Sequence, residues 1–107
     1  PSLYAVREGD LIYNKMWASK GTFALIPQLD EPHYVTSEYP VFRARSGVEP
    51  SFLDWIMKRP RFWARAGAWS RGTTDRARLN PPDFLRMPVE IPAQPEQRAV
   101  AAVLGTT

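Results

Sequence analysis

The spacing of apolar residues changes once along this chain, close to Pro50, and that change limits the fold more than any other feature. Before it, apolar residues come in short β-prone runs cut by Gly and Pro. Leu3 to Val6 predicts a strand closed by the turn Glu8-Gly9-Asp10, and Leu11-Ile12-Tyr13-Asn14-Lys15-Met16 alternates toward its end as a half-buried strand does. Trp17 to Gly21 reads as a connection and Thr22 to Ile26 as a further strand. Pro27 to Pro32 is a loop, and strand material resumes at Tyr34 to Ser37 and Val41 to Arg45, with Pro40 at an edge or bend. After Pro50 the period lengthens. Phe52, Leu53, Ile56 and Met57 share one helix face with Pro50 at its first position. Pro60 breaks or restarts that helix, and Phe62, Trp63 and Ala66 continue a similar face as far as Gly67.

From Ala68 to Leu79 no period is visible. Asn80 is then placed to cap a short helix with Pro81 and Pro82 in its first turn, Met87 to Ile91 reads as an edge strand, and Pro95 to Leu104 as a final helix stopped by Gly105. Strands first and helices after make an α+β protein, expected here as a small, mixed or antiparallel twisted sheet followed by helices.

At 107 residues the chain suggests one domain, burying about two-thirds of its unfolded surface. A hydrophobic content of 44% suffices for one modest core and argues against disorder. No run approaches the roughly 18 apolar residues that span a membrane, and the N-terminus lacks signal-peptide layout. With no cysteine, disulfides, thiolate catalysis and cysteine-bound zinc are excluded. The expectation is a soluble, cytoplasmic protein.

Charge is distributed unevenly. Residues 1–57 hold five basic and seven acidic side chains, and residues 79–107 two and three. Residues 58–78 hold Lys58, Arg59, Arg61, Arg65, Arg71, Arg76 and Arg78 against Asp75 alone. A block of this density can displace counterions from a phosphate backbone, or it can be a solvated face with no partner.

Catalytic groups are missing from the pattern. His33, the single histidine, sits in a Pro-flanked loop without a neighbouring nucleophile and reads as a turn or surface residue. Asp30 and Glu31 more simply solvate a loop tip than ligate a metal. The glycines form neither a Walker loop nor a dinucleotide fingerprint. The expectation is no enzyme, no cofactor and no metal.

Several segments carry a further signal. Gly9-Asp10-Leu11-Ile12-Tyr13-Asn14-Lys15-Met16 runs directly into Trp17-Ala18-Ser19-Lys20-Gly21. Tyr34-Val35-Thr36-Ser37-Glu38-Tyr39-Pro40-Val41-Phe42 and Phe52-Leu53-Asp54-Trp55-Ile56 follow. Gly72-Thr73-Thr74-Asp75-Arg76-Ala77-Arg78-Leu79 comes next, then Phe84-Leu85, Ile91-Pro92 and Pro95-Glu96-Gln97-Arg98. In this order and spacing, the chain resembles the target-recognition domain of the specificity subunit of type I restriction-modification systems. The resemblance implies a DNA methylase specificity domain-like fold, with residues 1–93 as the C-terminal portion of one recognition domain and 94–107 as the start of a conserved spacer helix. It also implies sequence-specific binding of double-stranded DNA without catalysis. The partners it implies are the methyltransferase (modification) subunit and the restriction subunit of the same system.

Two loops are the candidates for DNA contact. In residues 15–21, Lys15 and Lys20 can reach phosphates or a guanine edge. Trp17 can wedge or stack beside a base, or bury itself in the core as tryptophans of small domains more often do. In residues 70–78, Arg71, Arg76 and Arg78 suit bidentate recognition of guanine or phosphate. Thr73 and Thr74 offer short hydroxyls and methyls to a groove, and Gly72 lets backbone approach closely. Phe52, Trp55, Ile56 and Phe62 fall at helical spacing and read as core, with Lys58, Arg59, Arg61 and Arg65 flanking the site. Ala99, Val100, Ala102, Val103 and Leu104 leave little of the final helix polar, so residues 95–104 are expected to associate with another copy or with a methyltransferase subunit. Two other readings stay open: a truncated or degenerate recognition domain acting as a protein-interaction module, and a single-strand or RNA-binding domain stacking bases on its tryptophans.

Overall fold

A computed structural model of the chain describes residues 2–73 and 76–104, and the side chains of residues 103 and 104 lie outside that description. The strands are short and divide into two antiparallel sheets. β1 (Tyr4–Val6) pairs with β4 (His33–Val35), and β2 (Leu11–Tyr13) lies between β3 (Phe23–Leu25) and β5 (Val41–Phe42). Tyr13 stands opposite Phe23, and Leu11 opposite both Leu25 and Phe42, so one face of the central strand is continuously apolar. Pro40 immediately precedes the edge strand β5, where a missing N–H breaks no ladder.

Prolines set the helix starts. α1 (Pro50–Met57), α2 (Pro60–Trp69) and α3 (Pro81–Arg86) each open with proline in the first turn, where an N–H would have no partner. α4 (Gln94–Leu104) closes the described chain and packs on α1. The α+β order expected from the sequence is therefore the order observed, and Phe52 and Phe62 are buried as expected.

Two local expectations fail, and a third holds in a different form. Gly67 does not stop α2, which runs two residues further to Trp69. A Cβ on Gly67 would stand 3.1 Å from the Ser19 Cβ, so this glycine admits a neighbouring segment to the helix surface. Residues 87–91 form no strand. Pro88 and Pro92 offer no N–H to a ladder, and their carbonyls accept from the side chains of Arg65 and Gln97 instead. Asn80 is the N-cap residue of α3, as expected, but its side chain makes no cap hydrogen bond; its carbonyl accepts from the N–H groups of Asp83 and Phe84.

The core lies where sheet and helices meet. Leu11, Tyr13, Phe23, Met57, Phe62, Ala66, Leu79 and Met87 form its buried centre. The Phe84 ring from α3 stands 4.8 Å from Tyr13 and 4.7 Å from Phe42, and Phe62 meets Phe23 edge-on at 5.0 Å. Gln97 is buried as completely as any core residue. Its carbonyl accepts from Glu49 N–H at 2.8 Å, and its amide donates to Gly47 O at 2.9 Å and Pro92 O at 2.8 Å. This amide joins α4 to the start of α1, and Arg98 adds an ion pair to Glu49 at 2.9 Å. Val100 and Ala101 are half-buried on the same helix, while Ala99 and Ala102 are exposed.

Candidate nucleic-acid interface

The first candidate loop connects β2 to β3. Its path is fixed by main-chain contacts: Lys15 N–H donates to Glu38 O at 3.1 Å and Met16 N–H to Asn14 Oδ1 at 2.9 Å. The Thr22 hydroxyl donates to Trp17 O at 2.9 Å. Residues Ala18–Lys20 form one 3-10 turn, ended by Gly21 in the left-handed region at φ 83°. A Cβ on Gly21 would come within 2.4 Å of the Trp63 ring, so only glycine lets α2 and this turn close on one another. Ala18 is buried in that contact, and Lys20 is exposed. Trp17 is 51% exposed, which overturns its reading as a core residue. The turn is anchored by Ala18 and Trp63, leaving Trp17 on the outside of a rigid bend.

The second loop is a small hairpin. Arg71 and Arg78 exchange both main-chain hydrogen bonds, at 2.9 and 2.8 Å, and Arg76 N–H donates to Thr73 O at 2.9 Å. Gly72 takes φ 115°, as such a turn requires. Thr73 and Arg76 are exposed near the tip; Thr74, and Asp75 beside it, lie outside the described residues. The arginines at the base of the hairpin are already engaged. Arg71 meets Asp83 through Nε at 2.9 Å and a second nitrogen at 3.3 Å, and Arg78 meets Glu38 at 3.5 Å. The Arg71 hydrogen bond holds the Asp83 carboxyl below its ordinary range, and the same bond raises Arg71 further. Among the described residues Arg76 makes no ion pair.

The fold places these loops side by side. Leu79 N–H donates to Lys15 O at 2.9 Å, and the buried Tyr13 hydroxyl donates to Leu79 O at 2.7 Å. Burial, with the nearby Asp83 charge adding to it, pushes the Tyr13 phenol well above its usual range, so it remains a donor at any ordinary pH. A cleft of about 400 Å³ opens along the seam, lined by Met16, Trp17, Ser19 and Lys20 on one side and Gly67, Ser70 and Ala77 on the other. Trp17 and Lys20 thus face the base of the hairpin across this cleft, Thr73 and Arg76 are exposed near the hairpin's tip, and Lys15 is half-buried at the hydrogen-bonded junction, with Arg71 and Arg78 held in ion pairs.

The remaining basic residues stand apart. On α2, successive residues turn by about 100°, so Arg61 and Arg65 point away from Trp63 and Gly67, which face the first loop. Arg59, Arg61 and Arg65 line a separate depression with Trp55, Val89 and Glu90. Arg59 lies 5.1 Å over the Trp55 ring, and Lys58 pairs with Asp54 at 2.9 Å. They do not flank the seam. Trp55 is half-buried beneath this group, and His33 is exposed with Nδ1 2.7 Å from Glu31 O.

Asp83 is a polar group of structural consequence that the sequence pattern did not single out, although an acid in the first turn of a short helix is a usable signal. Gln97 lies in the Pro95-Glu96-Gln97-Arg98 segment that carries the family resemblance, but its hydrogen-bond partners are reached only through the fold. Among the described residues no group of three or more His, Cys, Asp or Glu could hold a metal, and no helix is long and apolar enough to cross a membrane.

Neither the models of known families nor the curated proteins contain a match to this sequence. Among solved structures, the fold matches the HsdS subunit from Thermoanaerobacter tengcongensis with a TM-score of 0.77 at 22% sequence identity. The match covers 95% of this chain and 26% of that subunit, so the chain spans about a quarter of the relative's length. HsdS is the specificity subunit of type I restriction-modification systems, the same class of protein that the sequence segments resemble.

Proposed function

We propose that this chain is a DNA target-recognition unit of a type I restriction-modification specificity subunit, choosing the sequence at which methyltransferase and restriction subunits act and performing no chemistry itself. The observation that carries this reading is the seam. Two loops about 55 residues apart in sequence are joined by a hydrogen bond, so that Trp17 and Lys20 stand across a cleft from Ser70 and Ala77 of the hairpin whose exposed tip carries Thr73 and Arg76, within a fold shared with HsdS. Cations supply phosphate contacts, while a short hairpin with Arg76 near its tip can enter a groove and read a base edge.

The test is binding of the full chain to a randomised duplex pool at two salt concentrations, with single strands and RNA as competitors. Enrichment of one duplex sequence and a steep loss of affinity with salt are the expected results. Equal binding to all duplexes, or preference for single strands or RNA, would remove the recognition role. The exposed side of α4 at Ala99 and Ala102 is the surface through which we expect association with a second copy or a methyltransferase subunit.

A further inference from the structure

Trp17 poses a question that phosphate contact does not answer. A half-exposed tryptophan leaves a large apolar surface in water, and here its backbone is held by a hydroxyl, a 3-10 turn and a left-handed glycine. The backbone is therefore fixed, and the indole lines a cleft. The cleft is within the size range of small-ligand sites, roughly 300–1,000 Å³, at about 400 Å³.

Its lining discriminates between the parts of a nucleic acid. A phosphate needs donors, and the cleft offers one ammonium, Lys20, while Arg71 and Arg78 do not line it and are paired elsewhere. The Ser70 hydroxyl already donates its proton to Ala66 O at 2.7 Å, so toward the cleft it presents lone pairs only. An aromatic wall, one ammonium and the hydroxyls of Ser19 and Ser70 suit a planar base, whose ring face can stack and whose edge carries both donors and acceptors. A base still stacked in a duplex cannot enter a concavity between two loops. Resting on the DNA-recognition reading, we infer that the cleft between Trp17 and Ser70 receives a single unstacked base.

An unstacked base must first break its pair, so weakening that pair in advance favours the complex. The experiment takes the duplex selected by the full chain and, at each position in turn, places a mismatch or an abasic analogue opposite the base. One position is expected where this change tightens binding about tenfold. Trp17→Ala removes the gain and Trp17→Phe retains most of it. Trp17 is half-exposed, so its replacement leaves the core intact, and circular dichroism checks this. A chain that selects a duplex but shows no such position, or whose gain survives Trp17→Ala, overturns this inference alone. A chain that selects no duplex overturns the DNA-recognition reading as well.

Discussion

Arg61 and Arg76 belong to the same stretch of positive charge, yet they sit in opposite circumstances. Arg61 lies on the outer side of α2, in a group with Arg59 and Arg65 whose cations stand over Trp55 or donate to the Pro88 carbonyl. Arg76 lies near the tip of a hairpin whose two basal arginines are held by Asp83 and Glu38. The first group is a charged helix face with cationic heads in solvent and stems on apolar surface. The second is a scaffold in which ion pairs at the base fix the direction of the tip. Charge density along the chain merges the two, and one helix separates them in space.

The largest effect is expected at the contact that keeps the scaffold closed. Gly21→Ala places a side chain at φ 83° and against Trp63, whose indole N–H donates to Met57 O at 2.7 Å. Left-handed strain of about 1–2 kcal/mol and overpacking of about 1–3 kcal/mol should together lower stability by roughly 2–5 kcal/mol in urea denaturation. The seam is next. Tyr13→Phe leaves the buried Leu79 carbonyl without its 2.7 Å donor and should cost about 1–3 kcal/mol. The same variant should reduce discrimination among duplex sequences while leaving the salt dependence of binding unchanged. An altered salt slope with intact discrimination would break the distinction between the two regions.

Arg76→Ala sharpens that distinction directly. It should cost about 1–3 kcal/mol on the selected duplex and relax preference at one base pair. Arg61→Ala, on the helix face that stands apart from the seam, should leave sequence preference intact and change the salt slope by much less than the roughly one unit of a phosphate contact. Identical, sequence-independent losses at both positions would reduce the hairpin to an electrostatic patch.

The Arg71–Asp83 pair gives a pH signature to one region only. The Asp83 carboxyl titrates below its ordinary value of 3.8 in the folded chain, so the pair adds stability above that value. The contribution is lost as pH falls through the folded value. In Asp83→Asn this part of the acid dependence should vanish, and the urea midpoints of the two proteins should converge in acid. The smallest effect is expected for Lys58→Ala, which removes an exposed i,i+4 pair with Asp54. About 0.3–0.5 kcal/mol of stability is at stake, within reach of careful denaturant titration.

Much of this architecture was readable from local pattern, and the reasons are local too. Proline at the first turn of α1, α2 and α3 acts through its own ring and missing N–H, and Phe52 and Phe62 are buried because each falls on the apolar face of its own helix. The short runs around Leu11, Phe23 and Val41 announced strands by composition, although their division into two sheets depends on pairing that no single run contains. Residues 87–91 misled because apolar alternation around prolines looks like an edge strand. Whether it is one depends on an adjacent strand with ladder groups to offer, and none reaches it among the described residues.

The candidate site divides along the same line. Its two loops, their cations and their threonines were marked by composition alone: lysines around a connection after β2, and arginines in an aperiodic, Gly-containing stretch. Which of those groups face outward was decided by residues far away in sequence. Trp17 is exposed because Ala18 and Gly21 take the contact with α2; Gly67 is a glycine because Ser19 approaches it. Arg71 and Arg78 became supports because α3 brings Asp83 and the segment before β5 brings Glu38. Side-chain type and spacing act over a turn or a strand and are legible in one dimension. Exposure and ion pairing depend on distances of a few ångströms between segments tens of residues apart, and only the packed chain sets those.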